Sequence, residues 1–235
     1  MKTFINQDLY PGEFLLHKKY AQSEMLLELV WTHSNIIADI ALLVLEKHEF
    51  NKLELTREYI IQAALLMEVG VYLCGGYEWM PGQSPSDKPY IQHGIIGAWI
   101  LEKEGYNPQI IQVAHSHSGV GVTAEDVRNF GLDLPEADYV PRSQLQKLMA
   151  FSAKYHSKAP KFKNTQDIKN SLMKFGQQKI EKFDEWLDEF GEPDLTELIA
   201  KYDSWHKGFI YQIQQLTPGS ASIPTPPLNS AGIAQ

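Results

Sequence analysis

Four histidines, His33, His93, His115 and His117, are spread along a chain that otherwise reads as one helix after another. Neutral imidazole is the commonest protein metal ligand, and helical bundles gather ligands from distant segments into their cores. His33 falls on an apolar stripe with Leu26 and Ile37, and His93 shares a face with Ile96, Gly97 and Ile100. A buried imidazole must find partners for its polar nitrogens or it costs free energy, so each ring is either a hydrogen-bonded core residue or a ligand. His115 and His117 are two apart and leave a helix on different faces. One of them can enter a shared site directly, and the other can serve as an outer hydrogen-bond donor or substrate contact. Glu68 is the single carboxylate in the apolar run AALLMEVGVYL. There it must be paired, protonated, bound to a cation, or exposed near a helix end. Four imidazoles and a carboxylate in one helical domain favour a shared site over separate core residues.

Composition narrows the rest. The chain has 235 residues, 43 % of them hydrophobic and 21 % charged, as expected of one soluble globular domain. No run approaches the roughly 18 consecutive apolar residues that span a bilayer, so no membrane partner is expected. The N-terminus lacks the apolar core of a signal peptide. A single cysteine, Cys74, excludes an internal disulfide framework and a zinc–cysteine site. Together these features predict a cytoplasmic protein whose metal, if it holds one, has nitrogen and oxygen ligands. The net charge is −8 with the lysines scattered, which argues against nucleic acid, where phosphate neutralisation supplies most of the affinity. A small phosphorylated molecule in a local pocket is compatible with that charge. Oligomeric state is not legible.

The positioning elements are all helical. Ser23 caps a long helix whose apolar stripe runs from Leu26 to Val44. Thr56 opens the next, to about Gly70, and a turn-rich loop follows from Cys74 to Pro89. A third helix runs from Pro89 to Glu104, stopped by Gly105. Asn107–Pro108 caps and starts a short one ending near His117, and Thr123 with Asp126 forms a capping box for another. Ser143 opens a helix through Lys158, Thr165 one through Phe190, and Asp194 the last, to about Leu216. The domain therefore spans 1–216, with its core at about 23–158 and C-terminal helices at about 165–216. Residues 217–235 are Pro/Ser-rich and are expected to be disordered.

Five segments resemble the HD-domain superfamily of metal-dependent phosphohydrolases. They are VWTHSNIIADIAL (30–42), AALLMEVG (63–70), YIQHGIIGAWIL (90–101), HSHSGVGVTAEDV (115–127) and LMAFSAKYHSK (148–158), in that order. The resemblance implies an all-α helical bundle in which histidines, an adjacent His-Asp dyad and a late aspartate hold one or two divalent metals that activate water against a phosphoester. Matched residue by residue, His33 is the first histidine, His93 the next lone one and His117 the downstream one, with His115 a contender. Three positions depart from the pattern: the dyad is Met67–Glu68, and the late aspartate is Ala153. Thioether is a poor ligand for such cations and alanine is none.

The resemblance thus implies metal ligands His33, Glu68, His93 and His117. The last three form a two-histidine, one-carboxylate set for a single Mn, Fe, Zn or Mg ion, with His33, Glu68 and His115 as catalytic groups. The other reading of the same departures is an HD fold that has lost its metal and serves as a ligand-binding or protein-interaction module. His156 and Lys158, which follow the late aspartate position, could approach a phosphate, though a solvated helix end is the plainer reading.

Overall fold

The structure is a computed structural model that describes residues 4–47, 55–217 and Pro226. Apart from Thr217 and Pro226, the segment expected to be disordered lies outside the described residues. The described residues form ten α-helices, three short 3₁₀ turns and one small hairpin, which makes the fold all-α as expected.

Helix α1 is Pro11–Tyr20 and α2 is Glu24–Lys47. Ser23 starts α2 by accepting the Leu26 N–H on its hydroxyl (3.3 Å), satisfying one of the donors a helix start leaves orphaned. By length and mean hydropathy (1.4 over its best window) α2 could cross a bilayer, but 89 % of that window is buried inside the domain. It is the central core helix, packed on α3 (Arg57–Leu66) and α7 (Gln144–Lys154). Helix α3 stops earlier than its sequence suggests. Met67 is its last helical residue in φ and ψ, and at Glu68 (φ −98°, ψ 4°) the chain tightens into a 3₁₀ turn, Val69–Leu73. Tightening changes the face on which side chains emerge, and Glu68 leaves the core stripe at that step.

The loop from Cys74 to Pro89 is packed down. Tyr77 and Met80 are buried, and the Gly75 N–H closes it onto the Lys88 carbonyl (2.9 Å). Helices α4 (His93–Lys103) and α5 (Pro108–Ser116) follow. Glycine lets them approach closely. A Cβ on Gly70 would sit 2.0 Å from the His93 carbonyl oxygen, and one on Gly94 2.9 Å from that of Ala114. These two contacts seat the 3₁₀ turn, α4 and α5 against one another, and with them Glu68, His93 and His117.

Helix α6 (Ala124–Asn129) carries the expected Thr123–Asp126 capping box. The helix begun at Ser143 ends at Lys154, not Lys158. The chain then turns through an antiparallel hairpin of two short strands, β1 (His156–Ser157) and β2 (Lys161–Phe162). Two residues per strand are too few to show an alternating pattern in sequence. The expected long helix from Thr165 is likewise broken. Helix α8 (Thr165–Leu172) and α9 (Gln177–Phe190) are separated at Gly176, whose φ of +102° no helix accommodates. Phe183 of α9 stacks on Phe151 of α7 and Phe190 packs tilted against the same ring, and such buried rings contribute about 1.5–3 kcal/mol each. Helix α10 (Thr196–Leu216) lies along α2, where Tyr202 donates to Asp39 (2.7 Å) and Trp205 to Glu28 (3.1 Å).

Candidate metal centre and its cavity

Glu68, His93 and His117 converge. Their candidate ligand atoms are Glu68 Oε2, His93 Nε2 and His117 Nε2, and each side chain is at least nine-tenths buried. The two Nε2 atoms are 2.9 Å apart, and Oε2 lies 3.6 Å from His93 and 3.5 Å from His117. The tautomers follow from what lies behind the rings. His93 Nδ1 is 2.8 Å from the Tyr90 carbonyl, and His117 Nδ1 is 2.8 Å from that of Ala114. A carbonyl only accepts, so each Nδ1 carries its proton there. Wherever neither ring carries a second proton, both Nε2 lone pairs face one another. Glu68 Oε2 is buried and has no hydrogen-bond partner.

Three lone-pair atoms around one point repel unless a proton or a metal ion lies between them. Atoms bonded to one ion at about 2.0–2.2 Å stand this far apart, and outward Nδ1–H groups held by carbonyls are how metal-binding histidines are oriented. The donor set fits a hard or borderline divalent cation with positions left open.

His33 joins the same group by a different contact. Its Nε2 is 3.3 Å from Glu68 Oε1, and its Nδ1 is 2.7 Å from His156 Nδ1. His156 Nε2 is in turn 2.9 Å from His206 Nε2 on α10. Because a carboxylate only accepts, the direction of the whole chain is fixed. His206 donates to His156, His156 to His33, and His33 to Glu68. Burial holds all three rings below the ordinary histidine pKa, His33 at about 4, so each is neutral and carries the one proton this order requires. Glu68 Oε1 also accepts from the Lys158 ammonium (2.8 Å). Burial pushes the Glu68 carboxyl up, but Lys158, His117 and His33 together outweigh it and hold it well below the ordinary carboxylate range.

Four of the five expected site residues are therefore assembled: His33, Glu68, His93 and His117. His115 is not. It sits half-buried against the Tyr139 ring (4.9 Å between centroids) and does not line the cavity. Of the two readings open for His156 and Lys158, the solvated helix end does not hold, and both line the site. His156 is buried, and Lys158 is 12 % exposed with its ammonium on Glu68. The hairpin turns both inward, and nothing in their spacing signalled a hairpin. Met67 is fully buried in the core, and Ala153 lines the cavity wall.

The cavity holds about 400 Å³, the size of a small-molecule site. Beside the histidines and Glu68 it is lined by Lys154, Lys158, Lys163 and Lys179. A chain of net charge −8 thus concentrates four cations on one pocket.

No family model matches the chain. Over 60 residues it is 38 % identical to a tRNA (cytidine(56)-2′-O)-methyltransferase of Picrophilus torridus, covering 26 % of this chain and 17 % of that protein. It is 37 % identical over 60 residues to an uncharacterized protein of Methanocaldococcus jannaschii, covering 26 % of this chain and 34 % of that one. The chain thus spans about a sixth to a third of the curated relatives it matches. Among solved structures it is similar to the HD domain of the L. monocytogenes phosphodiesterase PgpH, at a TM-score of 0.44 and 16 % identity, covering 73 % of this chain and 93 % of that one. The same domain in complex with cyclic-di-AMP gives 0.43 and 15 %. Likeness at this level says nothing of activity.

Proposed function

We propose that the protein hydrolyses a phosphoester at a single divalent metal held by Glu68, His93 and His117. The observation that carries this reading is the unpartnered, buried Glu68 Oε2 facing two histidine Nε2 atoms whose protons are committed elsewhere. When bound, the ion supplies charge to a phosphoryl oxygen and lowers the pKa of water toward neutrality. The chain's own residues do the rest. Lys158 stands beside Glu68 at the cavity wall and attracts the phosphate of an incoming substrate, offsetting the carboxylate there. His33 holds Glu68 Oε1 by its Nε2–H, which leaves Oε2 for the ion. Its neutral ring is backed by His156 and His206, which fix the tautomer that donates to Glu68. The residues around the ion are buried, and bulk water competes little with a bound phosphate.

One observation favours the other reading, a binding module without a metal. Lys158 already places a cation on Glu68 Oε1. Elemental analysis of untagged protein purified without chelator separates the two. Near one metal per chain, lost in Glu68→Ala and His93→Ala, supports the enzyme and directs a phosphoester screen. Substoichiometric metal with no uptake of added Mn²⁺, Fe²⁺, Zn²⁺ or Mg²⁺ refutes it.

A further inference from the structure

The cavity beside the three ligands contains charges that the ion does not use. Of its four lysines, Lys158 is paired with Glu68 (2.8 Å) and Lys179 with Asp126 (2.5 Å). Lys154 and Lys163 make no ion pair among the described residues. They are brought together by the hairpin. Lys154 ends α7, and Lys163 follows β2, its N–H fixed on the Tyr155 carbonyl (2.9 Å). Both are half-buried and both line the cavity.

A lysine placed for structure alone runs its stem over apolar surface and keeps its ammonium in water. These two instead face a shared pocket. Burial, then the like charge of Lys163, pushes the Lys154 ammonium down to about 7, and burial lowers Lys163 as well. Holding the two ammonium groups near one another out of water costs stability; Asp167 and Glu68 offset part of it from a distance, and among the described residues no carboxylate lies within ion-pair reach of either. An anion between them is the missing partner. The wall around them is apolar, with Val120, Val122, Phe130, Ile168, Leu172 and Phe175, so that anion is carried on an organic body.

We propose that Lys154 and Lys163 form a second anion subsite, and that the substrate is a phosphoester bearing two phosphate groups. One phosphate sits at Glu68, His93 and His117, and the other at this lysine pair, with the organic part on the apolar wall. The assignment of the first phosphate rests on the phosphohydrolase reading. The lysine subsite stands on its own geometry.

The test is calorimetric titration of the full, chelator-stripped chain with inorganic pyrophosphate. Wild type binds it, Lys154→Met and Lys163→Met each weaken binding about tenfold or more, and His115→Ala, which lies outside the cavity lining, binds within twofold of wild type. Thermal melting adds a readout that a structural lysine would move the other way. Lys154→Met keeps or raises Tm, because it removes a repulsive buried charge. Lys163→Met, at the end of the hairpin, keeps the test decisive if Lys154→Met folds poorly. Lysine-dependent pyrophosphate binding supports the subsite even in a protein that takes up no metal, in which case only the hydrolytic reading falls. Absent binding at millimolar pyrophosphate, or binding unchanged in both lysine variants, overturns the subsite even if one metal per chain is found.

Discussion

His17 and the His93–His117 pair are similarly buried, at 0, 6 and 3 % exposure, and bonded in opposite ways. His17 is complete. Its Nε2–H donates to the Leu65 carbonyl (2.6 Å), and its Nδ1 accepts from the Tyr72 hydroxyl (2.7 Å). Each nitrogen has a partner of the opposite kind, and the ring packs edge-on against Trp31 and Tyr72. At His93 and His117, each outer nitrogen is satisfied while the inner ones face each other and an orphaned carboxylate oxygen. Burial of a histidine is therefore not what marks a site. A surplus of acceptors is, because a fold gains nothing from an uncompensated cluster of lone pairs.

Substitution gives the sharpest contrast. His17→Ala removes two buried hydrogen bonds at once, strands the Tyr72 hydroxyl and the Leu65 carbonyl, and opens a cavity. It is expected to cost about 3–5 kcal/mol in urea unfolding. His93→Ala, measured on metal-free protein, strands the Tyr90 carbonyl and loses the Tyr90 ring contact but removes one of the facing acceptors, and is expected to cost less than His17→Ala. If His93→Ala unfolds the stripped protein as severely as His17→Ala does, His93 is a structural residue and the contrast disappears. Metal reverses the ranking at the site alone. Divalent ion at about 100 times its Kd raises stability by about 2.7 kcal/mol in wild type and in His115→Ala, and by nothing measurable in His93→Ala.

Acid sharpens the same comparison from the His17 side. Burial lowers the His17 pKa to about 4 from 6.5, so the ring is neutral in the folded protein. Between those pH values the unfolded chain binds more protons than the folded one. The stability His17 contributes is thus present above pH 6.5 and lost as pH falls toward 4, in total on the order of 3 kcal/mol. His17→Gln can keep both hydrogen bonds, with its amide N–H on Leu65 and its amide oxygen toward Tyr72, but does not titrate. Its unfolding free energy should fall less over pH 6.5 to 4 than that of wild type; equal slopes would mean that His17 is not buried neutral.

Much of the site was legible before the fold was known, and the reasons are specific. His33, His93 and His117 lie on or next to apolar helical stripes, and Glu68 interrupts an apolar run, so their types and spacing alone raised the question of a partner. His17 gave no such signal, standing among charged residues in HKKY near the end of α1, and its burial depends on helices that come later in the chain. The shared cavity of the lysines is hidden in the sequence for a related reason. Their positions at 154, 158, 163 and 179 look scattered along the chain, and only the hairpin and the break at Gly176 turn them onto one cavity. Hairpins this short and breaks set by a single glycine leave almost no periodic trace. The capping residues Ser23, Asn107, Thr123 and Ser143 were readable because each acts within three residues of itself.

The outer rings of the histidine chain should matter less than the inner ones. His206→Ala removes the donor to His156 Nε2 at a half-buried position where water can substitute. About 1 kcal/mol of stability is expected to go, with metal content unchanged. Loss of the metal in that variant would mean that the chain holds Glu68 in place rather than only backing His33.

The smallest effect belongs to His115. Two residues from His117, it shares its helix and its sequence signal, and sequence alone could not choose between them. The structure separates them by where the helix ends. His117 is the C-cap residue of α5 and turns its Nε2 inward, whereas His115, inside the last turn, packs its ring on Tyr139 away from the cavity. His115→Ala should therefore lose only that ring contact, about 0.5–1 kcal/mol in unfolding. Metal stoichiometry and any phosphoester turnover found for wild type should be unaltered. A drop in turnover at unchanged metal content would return His115 to the site as a substrate contact, and would mean that α5 unwinds a further turn when substrate is bound.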